Sequence, residues 1–218
     1  MAGGLMDAVF FDLDNTLYSA EHNLFNLIDV RINRYMHEVV GIAPERVDGL
    51  RRHYWAVYGV TLQGLIQEYG ADAEHYLDYV HDIDVSSRLS ADPCLEQELG
   101  RICARKFVFT NGSRDHAQRV LGCLGIERCF EAIYDIRVSN YIPKPQELPY
   151  LAVLKASGVA PQCSIMVEDS VPNLHTAARL GMKTILVGGD SDETAHFDAV
   201  ARTASEAARV VQQWQGDA

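Results

Sequence analysis

Five short runs of β-branched and aromatic residues recur along the chain, and polar or turn-forming residues bound each of them. Such nearly continuous apolar runs are typical of strands that are buried on both faces of a parallel sheet. Helical patterns fill the intervals between the runs, as expected for βαβ units. The pattern predicts strands at Ala8–Leu13, Lys106–Thr110, Ala132–Ile136, Ser164–Val167 and Thr184–Val187.

The interval between the first two runs is too long for one crossover. It spans roughly 90 residues, whereas a crossover needs about a dozen. Pro44 stands where it favours the first turn of a helix, and further helical patterns run near Thr61–Tyr69 and Ala73–His81. Apolar residues at helical spacing predict an earlier helix with one buried face, formed by Phe25, Ile28, Ile32 and Tyr35.

These patterns divide the chain into a core and an insertion. We expect residues 18–87 to form an all-helical cap, and residues 1–17 and 88–218 to form an α/β core. The polar segment Ser87–Pro93 contains a helix-stopping proline and is expected to be the linker that returns to the core. A closing helix is expected over Ser205–Trp214.

Composition narrows the class of partner. The 218 residues include 19 basic and 30 acidic ones, for a net charge of −11, which argues against a nucleic-acid polymer or an anionic membrane surface as the main partner. Five cysteines without a CxxC pair indicate neither a disulfide framework nor a thiolate zinc site. This use of cysteine fits a protein of the reducing cytoplasm best. We also see no signal peptide and no apolar run of membrane-spanning length in the sequence.

The first apolar run leads into two carboxylates. Residues along a strand alternate between its two faces, so Asp12 and Asp14 are expected to point to the same side at the end of the strand. A solvated turn with Asp12 as a capping residue is the ordinary alternative for an isolated DxD sequence. Three later segments favour a shared chemical site instead.

Two of those segments suit the binding of an anion. Thr110 and Asn111 end the second run just before Gly112, where a hydroxyl and exposed backbone N–H groups can bind an anion at the start of a helix. Lys144 lies between Pro143 and Pro145, which restrict the backbone around the cation. Taken singly, each segment is also compatible with an ordinary turn or a surface lysine.

The third segment repeats the pattern of an apolar strand that ends in acids. Glu168 and Asp169 follow the fourth run and precede Pro172, which starts a helix. They could simply interact favourably with the positive end of the helix dipole. Together with Asp12, however, they form a set of oxygen ligands. Such a set favours Mg²⁺ over zinc, because no Cys/His pair at ligand spacing accompanies it.

The order of these segments resembles the four motifs of the haloacid dehalogenase-like phosphohydrolase superfamily. The resemblance implies a Rossmann-like parallel sheet with strand order 3-2-1-4-5, sandwiched by helices, and a helical cap after the first motif. It covers nearly the whole chain and rests on Phe11-Asp12-Leu13-Asp14-Asn15-Thr16, Thr110-Asn111, Lys144-Pro145 and Glu168-Asp169.

The resemblance also implies roles for these residues. Asp12 would be the nucleophile that forms an aspartyl-phosphate, and Asp14 the general acid and base. Thr110 and Asn111 would bind phosphate oxygens, and Lys144 would offset negative charge. The expected ligands of Mg²⁺ are Asp12, the carbonyl oxygen of Asp14, Asp169 and, directly or through water, Glu168. Asn173 stands where many relatives have another acid and is expected to orient a ligand or a water molecule.

Within the superfamily the chain looks most like the pyrimidine 5′-nucleotidase branch, on residues 10–18 and the stretch 58–65. This implies a small-molecule phosphomonoester as substrate, specifically a nucleoside 5′-monophosphate, with a possible base-stacking wall from Tyr54, Trp55, Tyr58 and Tyr79. Phosphatases for phosphoglycolate or sugar phosphates and phosphomutases stay open as alternatives. A dehalogenase is disfavoured because halide leaves without a proton, and a non-catalytic scaffold because it gains nothing from clustered acids.

Overall fold

The computed structural model describes residues 6–188 and 197–216, and these form an α/β fold around one parallel sheet. The expected core also includes residues 1–5, 189–196 and 217–218, which lie outside the described residues. All neighbouring strands pair in parallel, in the order β3-β2-β1-β4-β5-β6. The strands are β1 (Ala8–Phe11), β2 (Arg105–Phe109), β3 (Ala132–Tyr134), β4 (Ser164–Glu168), β5 (Lys183–Val187) and β6 (Ala199–Ala201).

The predicted fold class and the order of the first five strands are confirmed, with two corrections. β6 is an additional edge strand that pairs with β5, and three residues are too few to show an alternating pattern in the sequence. The first strand ends at Phe11 and not at Leu13. Asp12 and Asp14 therefore lie in the turn after the strand. The alternation of side chains along a strand does not determine the directions in which they point.

Helices cover both faces of the sheet. Alternate residues of β1 supply the two cores: Val9 and Phe11 pack on one face, and Ala8 and Phe10 on the other. The first face is covered by α5 (Pro93–Gly100), α6 (Arg114–Leu124) and α9 (Ala204–Gly216), and the second by α7 (Glu147–Ser157) and α8 (Val171–Arg179).

The long interval after β1 is helical and has an apolar cluster of its own. Ile28, Ile32 and Tyr35 are buried in that cluster as expected, but Phe25 is 38% exposed and does not belong to its buried face. The helices of the interval are α1 (Leu24–Arg34), which continues into a π-helical turn at Tyr35–Val39, α2 (Pro44–Tyr58), α3 (Thr61–Tyr69) and α4 (Ala73–His81).

The segment that returns to the sheet differs from its expected form. Pro93 does not stop a helix but begins α5, where a proline loses no helical hydrogen bond. The side chain of Asp92 accepts a hydrogen bond from the backbone N–H of Leu95 (2.9 Å) and so caps the helix. The closing helix α9 is confirmed. In the described residues, we find no helix with the length and apolarity needed to span a membrane.

Candidate active site

A buried lysine joins two of the predicted acids at the carboxyl edge of the sheet. Lys144 Nζ donates hydrogen bonds to Asp12 Oδ1 (2.7 Å), Glu168 Oε2 (2.8 Å) and the carbonyl oxygen of Phe109 (2.8 Å). The lysine side chain is 1% exposed. The three partners come from the ends of β1, β4 and β2, which run side by side and in the same direction. The parallel sheet thus brings together groups that are far apart in the sequence.

The loop that carries Lys144 is held by a side chain from the second motif. Asn111 Nδ2 donates to the carbonyl oxygen of Lys144 (3.1 Å), and the backbone N–H of Lys144 donates to Asn111 Oδ1 (2.8 Å). The Asn111 side chain therefore positions the lysine. Because both polar atoms of the Asn111 side chain are used in this way, only the Asn111 backbone is left for the expected contact with phosphate.

The turn after β2 is closely packed. Thr110 is buried, and its Oγ1 accepts a hydrogen bond from the backbone N–H of Gly112 (2.9 Å). A Cβ atom at Gly112 would lie 3.3 Å from that oxygen and 3.5 Å from His81 Nε2, so a larger residue would crowd the turn. Ser113 then caps α6 by accepting from the N–H of His116. The N–H groups of Gly112 and His116 are therefore already paired within the turn. Among the described residues, the Thr110 hydroxyl hydrogen and the backbone N–H of Asn111 have no such partner.

Three carboxylates form a group that could hold a metal ion. Asp12, Glu168 and Asp169 each offer an oxygen, and these oxygens lie within 4.8 Å of one another. Asn173 donates to Glu168 Oε2 (3.0 Å), and the N–H of Ser170 donates to Glu168 Oε1 (3.2 Å). Asn173 therefore orients Glu168, and both oxygens of Glu168 already accept hydrogen bonds. Hard oxygen donors of this kind suit Mg²⁺.

The acids at the centre ionise with difficulty in this setting. Burial and the neighbouring charge of Glu168 raise the pKa of Asp12 to about 7, although Lys144 opposes the change. Burial likewise raises the pKa of Glu168 to about 7 against the effect of Lys144. Burial and Asp12 also raise the pKa of Asp169. Negative charge is in excess here, so an additional cation would be bound favourably.

Asp14 has a different environment, with two hydrogen-bond donors. Tyr18 Oη donates to Asp14 Oδ1 (2.6 Å), and His116 Nε2 lies 2.9 Å from the same oxygen. Burial would raise the pKa of Asp14, but the interaction with His116 and the hydrogen bonds from His116 and Tyr18 outweigh burial and hold the pKa below its ordinary value. The pKa of Asp12 is thus raised and that of Asp14 is lowered, so the two carboxyl groups ionise over different pH ranges.

Sequence reasoning assigned no role to Tyr18 or His116. His116 lies 102 residues from Asp14 in the chain, and a histidine three residues after a capping serine gives no signal of its own. The ring of His116 is stacked on His81 at the end of α4, with ring centroids 4.6 Å apart and an interplanar angle of 18°. The helical interval therefore reaches the site directly.

The expected aromatic wall is not assembled as one surface. Tyr54 is fully buried in the cluster of the helical interval, and its hydroxyl donates to Glu68 (2.8 Å). Tyr79 donates to Glu38 (2.9 Å) and packs under Arg31. Next to Tyr58, a Cβ atom at Gly59 would lie 3.4 Å from the carbonyl oxygen of Lys144. Of the four aromatic residues expected to form the wall, Tyr58 is thus the one that directly precedes a residue packed against the loop that carries Lys144.

Comparisons with known proteins identify a curated relative of moderate similarity. The chain is 25% identical over 192 residues to phosphate metabolism protein 8 of Saccharomyces cerevisiae, covering 81% of this chain and 60% of the yeast protein. The chain thus spans less than two thirds of that relative's length.

Solved structures show the same fold at low sequence identity. The structure of β-phosphoglucomutase from Clostridium difficile is 18% identical, covers 98% of both chains and superposes with a TM-score of 0.65. L-2-haloacid dehalogenase from Xanthobacter autotrophicus is 17% identical and covers 95% of this chain and 99% of its own, with a TM-score of 0.62. Residues 6–181 match the family model of the haloacid dehalogenase-like hydrolases. Because this match covers most of the chain, the protein belongs to the haloacid dehalogenase-like hydrolase family.

Proposed function

We propose that the protein is a Mg²⁺-dependent phosphomonoester hydrolase that works through an aspartyl-phosphate on Asp12. The observation that carries the proposal is the hydrogen-bonded group of Asp12, Lys144 and Glu168. Lys144 binds Asp12 Oδ1, and no hydrogen bond from a described residue reaches Asp12 Oδ2. One oxygen of Asp12 is therefore fixed and the other is available to attack phosphorus.

The first half of the reaction transfers the phosphoryl group to the protein. An oxygen of ionised Asp12 attacks phosphorus, and the bond between phosphorus and the ester oxygen breaks. The departing alkoxide takes a proton from the carboxyl group of Asp14. The negative charge of a bound phosphate raises the pKa of Asp14, since like charges disfavour ionisation. Substrate binding therefore favours the protonated form that this step needs.

The second half of the reaction restores the protein. A water molecule attacks the phosphorus of the aspartyl-phosphate and gives a proton to Asp14, which is now ionised. The bond between phosphorus and Asp12 breaks, and Asp12 departs as a carboxylate. The products are an alcohol and inorganic phosphate, and both acids regain their initial protonation states. Lys144 offsets negative charge on Asp12 and on the phosphate throughout, while Thr110 and the backbone of Asn111 bind phosphate oxygens.

The ligand residues proposed for Mg²⁺ are Asp12, the carbonyl oxygen of Asp14, and Asp169. When bound, the ion supplies positive charge that lets an anionic nucleophile approach an anionic phosphate. We place Glu168 behind this set, because its two oxygens accept hydrogen bonds from Lys144, Asn173 and the backbone of Ser170. In this arrangement Glu168 would orient Lys144 or bind the ion through water.

We propose that residues 18–87 act as a cap over residues 1–17 and 88–218 and select the substrate. Contacts at two places support this. His81 of α4 stacks on His116, and Gly59 after α2 approaches the carbonyl oxygen of Lys144. A nucleoside 5′-monophosphate, in particular a pyrimidine one, is the proposed substrate class on the resemblance of residues 10–18 and 58–65 to that branch.

A substrate screen with Mg²⁺ tests the proposal. The panel includes pyrimidine and purine nucleoside monophosphates, phosphoglycolate and sugar phosphates, and the readout is released phosphate, with Asp12→Asn as the control. The proposal predicts release from nucleoside monophosphates by the wild-type protein and none by the variant. Preference for phosphoglycolate or a sugar phosphate would correct the substrate class, and isomerised sugar phosphate without release would indicate a mutase. Equal release by Asp12→Asn would overturn the mechanism.

A further inference from the structure

We propose that His116 and Tyr18 are positioning residues that hold Asp14 so that its Oδ2 atom, and not Oδ1, exchanges the proton with the leaving group and with water. The inference rests on the proposed function and adds to it the parts of the chain that orient the acid. It follows from the hydrogen bonds of Asp14, the burial of its partners and an unused nitrogen on His116.

Both donors bind the same oxygen of Asp14. Tyr18 Oη lies 2.6 Å from Oδ1 and His116 Nε2 lies 2.9 Å from it. Among the described residues, no hydrogen bond to Oδ2 is present. Rotation of the carboxylate would break both hydrogen bonds together, so the pair fixes its plane. Oδ2 is left as the oxygen that can carry a proton to a reacting group.

The unused nitrogen of His116 argues against a purely structural role. The His116 side chain is 0% exposed, and its Nδ1 is buried without a hydrogen-bond partner in the part of the chain described. An unsatisfied buried polar atom costs free energy that an apolar side chain of similar size would avoid. The retained interaction of His116 is the one with Asp14, so the residue is best explained by what Nε2 does there.

The inference predicts a dependence on the leaving group. An alkyl ester leaves as a strongly basic alkoxide and needs the proton of Asp14, whereas p-nitrophenolate leaves readily without it. General acid or base catalysis contributes roughly 10²- to 10⁴-fold to a rate. Misplacing Asp14 should therefore slow phosphoryl transfer from an alkyl ester much more than transfer from p-nitrophenyl phosphate. A general loss of structure would slow both reactions alike.

The test compares kcat/KM for p-nitrophenyl phosphate with kcat/KM for the alkyl ester that performs best in the substrate screen. His116→Phe keeps an aromatic ring beside His81 but removes the donor, and Tyr18→Phe removes only a hydroxyl group. His116→Gln retains an amide that can donate to Asp14, and His175→Phe replaces an exposed histidine on α8 as a matched control.

We consider the ratio of kcat/KM for p-nitrophenyl phosphate to kcat/KM for the alkyl ester. This ratio should rise about tenfold or more in His116→Phe, rise less in His116→Gln, and stay unchanged in His175→Phe. Rapid mixing with p-nitrophenyl phosphate should also give a burst of about one p-nitrophenol per His116→Phe molecule, because hydrolysis of the aspartyl-phosphate needs Asp14 as a base. Tyr18→Phe should change the ratio in the same direction.

Two results separate the inference from the function beneath it. If the wild-type protein is active and the ratio is unchanged in both His116→Phe and Tyr18→Phe, the positioning role alone would be overturned. No phosphate release by the wild-type protein from any ester would overturn the proposed function and the inference with it. Tyr18→Phe keeps the test decisive where His116→Phe does not fold, which circular dichroism reveals.

Discussion

Replacing Lys144 with methionine tests whether the positive charge of this residue stabilises the buried carboxylates of Asp12 and Glu168 in the folded protein. Methionine has nearly the length of lysine but no charge and no donor, so the change removes three hydrogen bonds at once. Their acceptors are Asp12, Glu168 and the carbonyl oxygen of Phe109, at 2.7–2.8 Å. Asp12 and Glu168 are 7% and 1% exposed, so water cannot readily replace the lost donor.

The expected size of the effect follows from that burial. Removing one partner from a buried ion pair costs about 3–5 kcal/mol, because the remaining charge stays buried without compensation. We therefore expect the free energy of unfolding of Lys144→Met to lie about 3–5 kcal/mol below that of the wild-type protein near pH 8 without metal. Lys155→Met, which changes an exposed lysine on α7, should stay within about 0.5 kcal/mol of wild type.

The dependence of stability on pH provides a second, independent test of this prediction. The pKa values of Asp12 and Glu168 are raised to about 7 in the folded protein, above those of the unfolded chain. The folded protein therefore binds more protons than the unfolded one near neutral pH, and its stability falls as the pH rises through about 7. Without Lys144 the two pKa values should rise further, so protonation at about pH 6 should recover part of the loss.

Urea unfolding in EDTA, followed by circular dichroism near pH 6 and pH 8, measures both effects. The free energy of unfolding of Lys144→Met should lie far below that of the wild-type protein near pH 8 and less far below it near pH 6. A deficit below about 1 kcal/mol at the higher pH, or the same deficit at both pH values, would show that Lys144 does not compensate the buried acids.

Three further predictions concern the proposed nucleophile, the proposed metal ion and the packing of the helical interval. Asp12→Asn should abolish phosphate release yet retain the wild-type free energy of unfolding to within about 1 kcal/mol near pH 8. The reason is that Lys144 keeps Glu168 as its ion-pair partner, and the new amide oxygen can still accept the hydrogen bond from Lys144 Nζ. Phosphate release equal to that of the wild-type protein would refute this prediction. EDTA should stop phosphate release and added Mg²⁺ should restore it, and turnover that persists in EDTA would exclude a metal requirement. Gly64→Ala should lower the free energy of unfolding by about 1–3 kcal/mol, because a Cβ there would lie 2.2 Å from the Tyr54 ring, whereas Gly49→Ala, with nothing within 4 Å, should not; equal effects on thermal unfolding would contradict this packing.

Apolar runs in the sequence predicted five of the six described strands, and the family resemblance implied their order. Buried parallel strands leave a strong local signal, since each is a short apolar run followed at once by polar residues. The parallel order then requires the ends of β1, β2 and β4 to be adjacent. That topology brings Asp12, Phe109 and Glu168 together, whereas the position of Lys144 depends also on the hydrogen bonds between Asn111 and the Lys144 backbone.

Features that depend on tertiary contacts were not predictable in the same way. The surroundings of Asp14 involve Tyr18 and His116, which come from a turn and from a helix 102 residues further along the chain. The edge strand β6 is only three residues long and has little pattern to detect. Pro93 shows the ambiguity of local signals, since proline both ends and begins helices. Phe25 follows helical spacing yet remains 38% exposed, because packing and not periodicity decides burial.

The most direct test of the central claim is capture of the phosphorylated protein. Wild-type protein is mixed with Mg²⁺ and a radiolabelled phosphomonoester from the screen, quenched in acid within milliseconds, and examined for protein-bound label. The mechanism predicts a label that hydroxylamine releases, as for an acyl phosphate, that maps to the peptide containing Asp12, and that is absent from Asp12→Asn. Rapid release of phosphate with no bound label, or label on a different residue, would contradict Asp12 as the nucleophile.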